Sequence, residues 1–283
     1  MPMPEEIRLS IRNVELAALH WPANSKTRIL ALHGWLDNAQ SFGPLAEKMP
    51  GYDIVALDFP GHGLSGHRPA GEILHYIDYI ADVYAVLKTL NWDACVLIGH
   101  SMGAGVASLF ASAFPEKLQG LICLDGLGPI TGQVEDLVPR LNKSVRSNIK
   151  SIAQSKSVYE SVEQAVQARV QAGNISKSSA KRLVDRNLLE INNGYVWRSD
   201  ARLRLPSLYY LSEQQAQAYL SEIQVPTLMI RPTESTYRAE KILRARAALI
   251  SKISWIDVPG GHHAHMDQVD QMLVQLNNFI DKL

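Results

Sequence analysis

The sequence predicts an α/β protein: a mostly parallel central sheet flanked by helices, interrupted by a mostly helical insertion. Three observations predict it. Short uninterrupted apolar runs recur along the chain, stretches with apolar residues at three- and four-residue spacing lie between them, and the alternation stops from about Thr131 to Ser221. Apolar runs of this kind suit strands covered on both faces, as a parallel sheet requires. Strand, helix, strand repeats then join the strands by right-handed crossovers.

Alternating apolar and polar residues from Ile7 to Arg12 and from Val14 to His20, split by Asn13, predict a half-buried hairpin. Buried strands are predicted over Arg28 to Gly34, Tyr52 to Asp58, Ala94 to Gly99 and Leu118 to Asp125, with two more late in the chain at Val225 to Ile230 and Ile253 to Val258. Helical spacing joins Ile77, Ile80, Ala81, Tyr84, Leu87 and Leu90, and again Ala264, Val269, Leu273, Leu276 and Ile280. Between the two groups of strands, Ser157 with Glu160 reads as a capping box, and Val158, Val162, Val166 and Val170 follow at helical spacing up to Gly173. A second amphipathic stretch runs from Ser176 to Glu190, and Asn192-Asn193-Gly194 marks a turn. The expected organisation is a core of residues 1–130 and 222–283 with a helical cap, 131–221, inserted between core strands.

Composition narrows the function classes. The chain has 283 residues, 46% apolar and 20% charged, enough for one large core and a modest insertion but short for two full-size domains. Lys plus Arg total 28 and Asp plus Glu total 28, so no long-range field draws nucleic acid or an anionic membrane. Cys95 and Cys123 each sit inside an apolar run and read as buried core thiols of a reducing compartment rather than a disulfide framework. The first residues, Met1-Pro2-Met3-Pro4-Glu5-Glu6, lack the basic stretch and apolar run of a signal peptide, and no apolar run approaches the length of a bilayer span. A cytoplasmic protein without stable membrane insertion is expected.

Gly99-His100-Ser101-Met102-Gly103 carries the sharpest chemical signal, directly after the Val96-Leu97-Ile98 run and before a helical stretch. A serine on a strained strand-to-helix turn needs glycines on either side, because a side chain there would strike the folded backbone. Such a turn lifts the hydroxyl above the sheet edge and aims the first helix amides at a developing oxyanion.

With these residues the sequence resembles the α/β-hydrolase family, and most closely its serine hydrolase-like branch. Leu32-His33-Gly34-Trp35, Asp58-Phe59-Pro60-Gly61-His62-Gly63-Leu64-Ser65 and Val258-Pro259-Gly260-Gly261-His262-His263-Ala264-His265-Met266-Asp267 carry the same resemblance across nearly the whole chain, weakest in the insertion. The resemblance implies Ser101 as nucleophile and His262 as its base, with His263 the alternative. A hydroxyl needs a base within hydrogen-bond reach, and imidazole titrates where that duty lies.

The acid departs from the family pattern. After Val225-Pro226-Thr227-Leu228-Met229-Ile230, relatives usually end a turn in Asp, and here Ser235 stands in that slot with Glu234 one residue early. Haloalkane dehalogenases and some relatives carry the acid at the end of the strand after the nucleophile helix, which corresponds to Asp125. Asp125 is favoured over Glu234, and both stay open. The resemblance also implies an oxyanion hole from the Met102 and Trp35 amides.

Other readings are less favoured. Three close histidines, 262, 263 and 265, have no accompanying Cys, Asp or Glu at metal spacing, so no metal is expected. The glycines around His62 lack the P-loop lysine and the dinucleotide spacing, so this stretch reads as a turn bracing the site and no cofactor is expected. His33 and His62 are expected to satisfy loop backbone groups, His100 and His265 to pack near the site, and His20, His67 and His75 to lie on the surface. Trp197, Tyr195, Tyr209 and Tyr210 are candidates to wall a pocket. The sequence therefore points to a serine hydrolase acting on a small acyl substrate, an ester by default. The alternative is a non-catalytic binding protein on the same fold, and neither substrate nor oligomeric state is legible.

Overall fold

A computed structural model describes residues 3–151 and 157–283. The predicted hairpin is β1 (Glu5–Ile11) and β2 (Val14–Trp21), antiparallel and closed by Arg12 and Asn13, both at positive φ as a tight two-residue turn requires. It continues into β3 (Arg28–Leu32), β4 (Asp53–Leu57), β5 (Cys95–His100) and β6 (Leu118–Leu124). After a long intervening segment, which holds β7 (Leu188–Ile191) and β8 (Gly194–Trp197), come β9 (Thr227–Pro232) and β10 (Ile253–Val258). The eight-stranded order is β1-β2-β4-β3-β5-β6-β9-β10, and every pairing from β4 to β10 is parallel.

Strand residues alternate between two cores, as a two-residue period dictates. Leu30, Leu32, Cys95, Leu97, Leu121 and Cys123 face one side, where α1 (Asp78–Thr89) supplies Val83 and Leu87 and α2 (Met102–Ala113) supplies Ala107 and Phe110. Ile29, Ala31, Val96, Ile98, Ile122 and Leu124 face the other, covered by Met272, Leu276 and Ile280 from the C-terminal helix. Burial pushes both thiols up to about 12, so Cys95 and Cys123 are inert core groups.

The segment between β6 and β9 holds α3 (Leu137–Ser151), α4 (Val162–Gly173), α5 (Lys177–Asn187), the two-stranded β7 (Leu188–Ile191) and β8 (Gly194–Trp197), and α6 (Glu213–Ser221). Helices α7 (Glu240–Ala247) and α8 (Val269–Ile280) follow in the second part of the sheet. Several expectations are corrected here. Ser161, not Ser157, caps α4 by accepting from the Gln164 amide, and the Gln164 side chain returns a bond to the Glu160 amide. The reason is tertiary: Tyr159 pairs with Tyr195 through two 2.8 Å backbone bonds, which holds Val158 and Tyr159 outside any helix. The stretch expected to be helical to Glu190 turns into β7 at Leu188, around the Asn192-Asn193 turn. The final amphipathic stretch is two helices, Ala264–Asp267 and α8, separated at Gln268. Among the described residues no helix is long and apolar enough to cross a membrane.

Candidate active site

Parallel pairing brings the C-terminal ends of β3, β5, β6, β9 and β10 to one edge, and each loop there contributes a residue. Ser101 sits between β5 and α2 at φ 52° and ψ −111°, a strained conformation for a residue with a side chain. Two glycines make the turn possible. A Cβ on Gly99 would lie 2.4 Å from the Gly103 carbonyl oxygen, and one on Gly103 would lie 2.1 Å from that of Leu32. Met102 opens the helix, so its amide is among those without an intrahelical acceptor.

His262, in the loop after β10, brings Nε2 to 3.0 Å from Ser101 Oγ and Nδ1 to 2.5 Å from Asp125 Oδ2. With Nδ1–H donating to the carboxylate, Nε2 is left to accept from the hydroxyl. Asp125, at the end of β6, is 2% exposed and itself at positive φ. Ser235, in the loop after β9, donates its hydroxyl to the same Asp125 oxygen. Ser235 thus helps to hold the Asp125 carboxylate in place. Glu234 is held by a 3.0 Å backbone bond to Gly260, but its exposed side chain makes no contact with His262. Tyr237 stacks on the His262 ring at 4.5 Å between centroids.

A second cluster lies behind this one. His100 Nε2 donates to the His262 carbonyl at 2.9 Å. Asp37, in the loop after β3, accepts from His263 at 3.2 Å and from Arg169 of α4. Burial pushes the Asp37 carboxyl up, but His263 and Arg169 pull it down further, to well below the usual carboxylate range. His263, the alternative base, is therefore turned to Asp37 and away from the serine. His265 meets Ser41 Oγ at 2.7 Å, so the three close histidines do not converge on one point. A different trio does: donor atoms of Asp37, His100 and His263 lie within 4.8 Å of one another. The Arg169 guanidinium lies against both Asp37 and His263, which also bond each other, and supplies positive charge there.

The remaining histidines follow expectation with one change. His33 bridges the Gly34 carbonyl and the Phe59 amide, and His62 lies against the Pro60 carbonyl. His67 and His75 are exposed, whereas His20 is half-buried against Asp53 at 2.6 Å. The stretch after β4 braces the site as anticipated: the Asp58 carboxylate accepts from the Ala39 and Leu64 amides and pairs with Arg186 of α5 at 2.8 Å.

Ser101 and His262 open into a cavity of about 1040 Å³, walled in part by Tyr76, Met102, Trp197, Tyr209 and Tyr210. Tyr195 is absent from its lining, although Tyr159, its backbone partner, is part of it. Trp35 lines the cavity while its indole donates to the Leu203 carbonyl at 2.9 Å, tying the β3 loop to the segment above. Sequence reasoning missed Arg169 and Tyr237, read Asp37 only as shaping its loop, and saw Ser235 only as the residue in the aspartate's slot. Only the Asp in the loop after β3 and the serine in the aspartate's slot left any signal, and neither named its partner.

The chain belongs to the alpha/beta hydrolase fold family, whose profile matches residues 27–269. It is 34% identical to a serine hydrolase-like protein of Dictyostelium discoideum, over 98% of this chain and 81% of that one. A serine hydrolase-like protein of Danio rerio is 29% identical, over 97% and 88%. These relatives set the chain in the serine hydrolase-like branch. A hypothetical protein from Pseudomonas aeruginosa PAO1, of known crystal structure, superposes with a TM-score of 0.90 at 38% identity, covering 96% of this chain and 97% of that one.

Proposed function

We propose that the protein is a serine hydrolase that cleaves a carboxylic ester, or a related thioester, through an acyl-enzyme. The observation that carries this reading is the unbroken hydrogen-bond chain from Ser101 Oγ through His262 to Asp125. His262 Nε2 takes the hydroxyl proton as Ser101 Oγ attacks the carbonyl carbon, and the amides of Met102 and Trp35 hold the resulting oxyanion. The imidazolium gives that proton to the leaving alkoxide or thiolate. Water then adds to the acyl-enzyme by the same route, releasing the acid and restoring the serine. Asp125 keeps Nδ1 protonated and stabilises the imidazolium without taking the proton.

Residues 131–221 act in this reading as the cap over the pocket. A cavity of about 1040 Å³ with more apolar than polar wall suits a substrate with a sizeable apolar acyl group. Elbow aspartates form alkyl-enzyme esters in dehalogenases and epoxide hydrolases, chemistry that Ser101 does not offer. No cofactor enters the cycle, and a cytoplasmic location is part of the same proposal.

A fluorophosphonate probe tests the nucleophile. Labelling of the wild type that disappears in Ser101→Ala supports the proposal; a wild type that takes no label and turns over no p-nitrophenyl ester of any chain length overturns it in favour of a binding protein. Ser101→Ala and His262→Ala are each expected to lower ester turnover by at least roughly 10³-fold, because the members of such a site act as a unit.

A further inference from the structure

We infer that Tyr237 is a positioning residue for the His262 imidazole and that its hold counts most in the acyl-enzyme, a role that rests on the catalytic reading above. The torsion that turns a histidine ring has broad minima, so the plane of the ring is set by what touches it. Among the described residues, three rings lie near that of His262. His100 and His263 meet it at 46° and 83°, whereas Tyr237 lies at 27° and covers a face. Stacking of this kind resists rotation of the imidazole without occupying either ring nitrogen.

Tyr237 is 36% exposed, yet the loop that carries it is tied on both sides. Its amide donates to Ser235 Oγ at 3.2 Å, and that hydroxyl donates in turn to Asp125. One residue further on, Arg238 donates to the Pro129 carbonyl at 3.2 Å. Earlier in the loop, the Thr233 and Glu234 amides donate to the Val258 and Gly260 carbonyls at 2.8 and 3.0 Å, in the stretch leading to His262. One loop therefore holds both neighbours of the imidazole, the acid through Ser235 and the ring face through Tyr237. The Tyr237 hydroxyl makes no hydrogen bond among the described residues, so the ring is the working part.

The cycle makes this hold unequal between steps. In the resting site Nε2 accepts from the Ser101 hydroxyl at 3.0 Å while Nδ1 donates to Asp125, so the ring is fixed at both nitrogens. Once Oγ carries the acyl group it has no proton to donate, and the bond at Nε2 is gone. The imidazole is then held by Asp125 and Tyr237 while Nε2 takes its proton from the incoming water. Loss of the stacked ring slows deacylation more than acylation.

Two measurements test this. On p-nitrophenyl acetate, Tyr237→Leu is expected to lower the steady-state rate at least about tenfold and the burst rate, which reads acylation, by less than about threefold. Tyr237→Phe should stay within about twofold of the wild type on both, and the melting temperature of each variant should be unchanged because the side chain is on the surface of a loop. Equal losses on the two steps, loss on neither, or a Phe variant as impaired as the Leu variant overturns the inference. The second measurement needs no turnover and so stands apart from the catalytic reading. Ser101→Ala removes the bond at Nε2 as acylation does; its crystal structure is expected to keep the His262 ring against Asp125, and Ser101→Ala with Tyr237→Leu to show the ring turned away. A ring that keeps its place in both proteins, or leaves it in both, overturns the inference whether or not the wild type hydrolyses esters.

Discussion

The sheet and the segment above it are held by different physics. Strands β3, β5, β6 and β9 are buried on both faces and grip their helices largely through apolar side chains. The segment between β6 and β9 has a small apolar cluster, built around Val166, Leu183 and Val184 and shared with Met266, and it is also tied to the core by several charged contacts. Arg169 reaches Asp37, Arg182 reaches Glu47 at 2.6 Å, Arg186 reaches Asp58 and Glu6, and Ser176 and Ser179 each donate to Asp267 at 2.6 Å. Apolar contact tolerates sliding, but a buried ion pair has one geometry and a large penalty when half of it is lost. The difference teaches that the sheet fixes where Ser101, Asp125 and His262 stand, while the arginine joint fixes where the segment between β6 and β9 stands beside them.

Replacing one charge on each side of that boundary separates the two roles. On the sheet side, Asp125→Asn is expected to lower kcat/KM roughly 10³- to 10⁴-fold, because the amide favours the wrong imidazole tautomer, with little change in melting temperature. Glu234→Gln should change it by less than about threefold, since its side chain reaches neither His262 nor a buried partner. Comparable losses from both would place the acid outside this geometry. At the joint, Arg186→Met leaves Asp58 buried without its cation and should cost about 3–5 kcal/mol of stability, read by chemical denaturation. Arg186 lies far from Ser101 in sequence and touches neither reacting group, so the variant that folds should retain most of its turnover on a small soluble ester. A stable Arg186→Met protein with lost activity would invert the comparison.

Acid offers a gentler way to probe the sheet side. Burial holds His33, His62 and His100 down to about 4, 3 and 4, against 6.5 in the unfolded chain. Below pH 6.5 the unfolded chain takes up protons that the folded protein refuses, so stability is complete above that pH and falls as pH drops toward the folded values. Each histidine contributes a slope of roughly 1.4 kcal/mol per pH unit within that window. At the joint, Asp37 is depressed below the carboxylate range, so its contribution is lost only at more acid pH. The melting temperature should therefore decline steadily from about pH 6.5 to pH 4.5, before the joint titrates. A flat profile over that range would mean that these imidazoles are hydrated in solution.

How much was legible follows the same division. Uninterrupted apolar runs announced every strand of the parallel sheet, and the Gly99 to Gly103 pattern announced the elbow, because both depend on local sequence. Ser161 could not be preferred to Ser157 as the cap of α4 without knowing that Tyr159 pairs with Tyr195, 36 residues away in a ribbon that is only half-buried. Helix α3 carried a legible helical spacing in Leu137, Leu141, Val145 and Ile149 that went unused, and nothing local in it says that this stripe stays exposed. The arginine joint was invisible for a related reason: a charge in sequence does not say which opposite charge it meets.

Ser235 gives the finest test of the proposed role of Asp125. Its hydroxyl meets the same Asp125 oxygen that receives His262 Nδ1, so a carboxylate built on residue 235 would lie within reach of the imidazole. In the Asp125→Asn background, Ser235→Asp is expected to recover about tenfold of the lost kcat/KM, whereas Ser235→Ala in that background should recover nothing. In the otherwise native protein Ser235→Asp should instead be harmful, because two carboxylates then share one site and repel or retain a proton. Recovery in the first case and loss in the second would mean that the fold accepts an acid from either strand but not from both. If Ser235→Asp fails to restore any activity, the slot after β9 has lost the geometry its relatives use, and the hydroxyl at 235 is fitted only to hold Asp125.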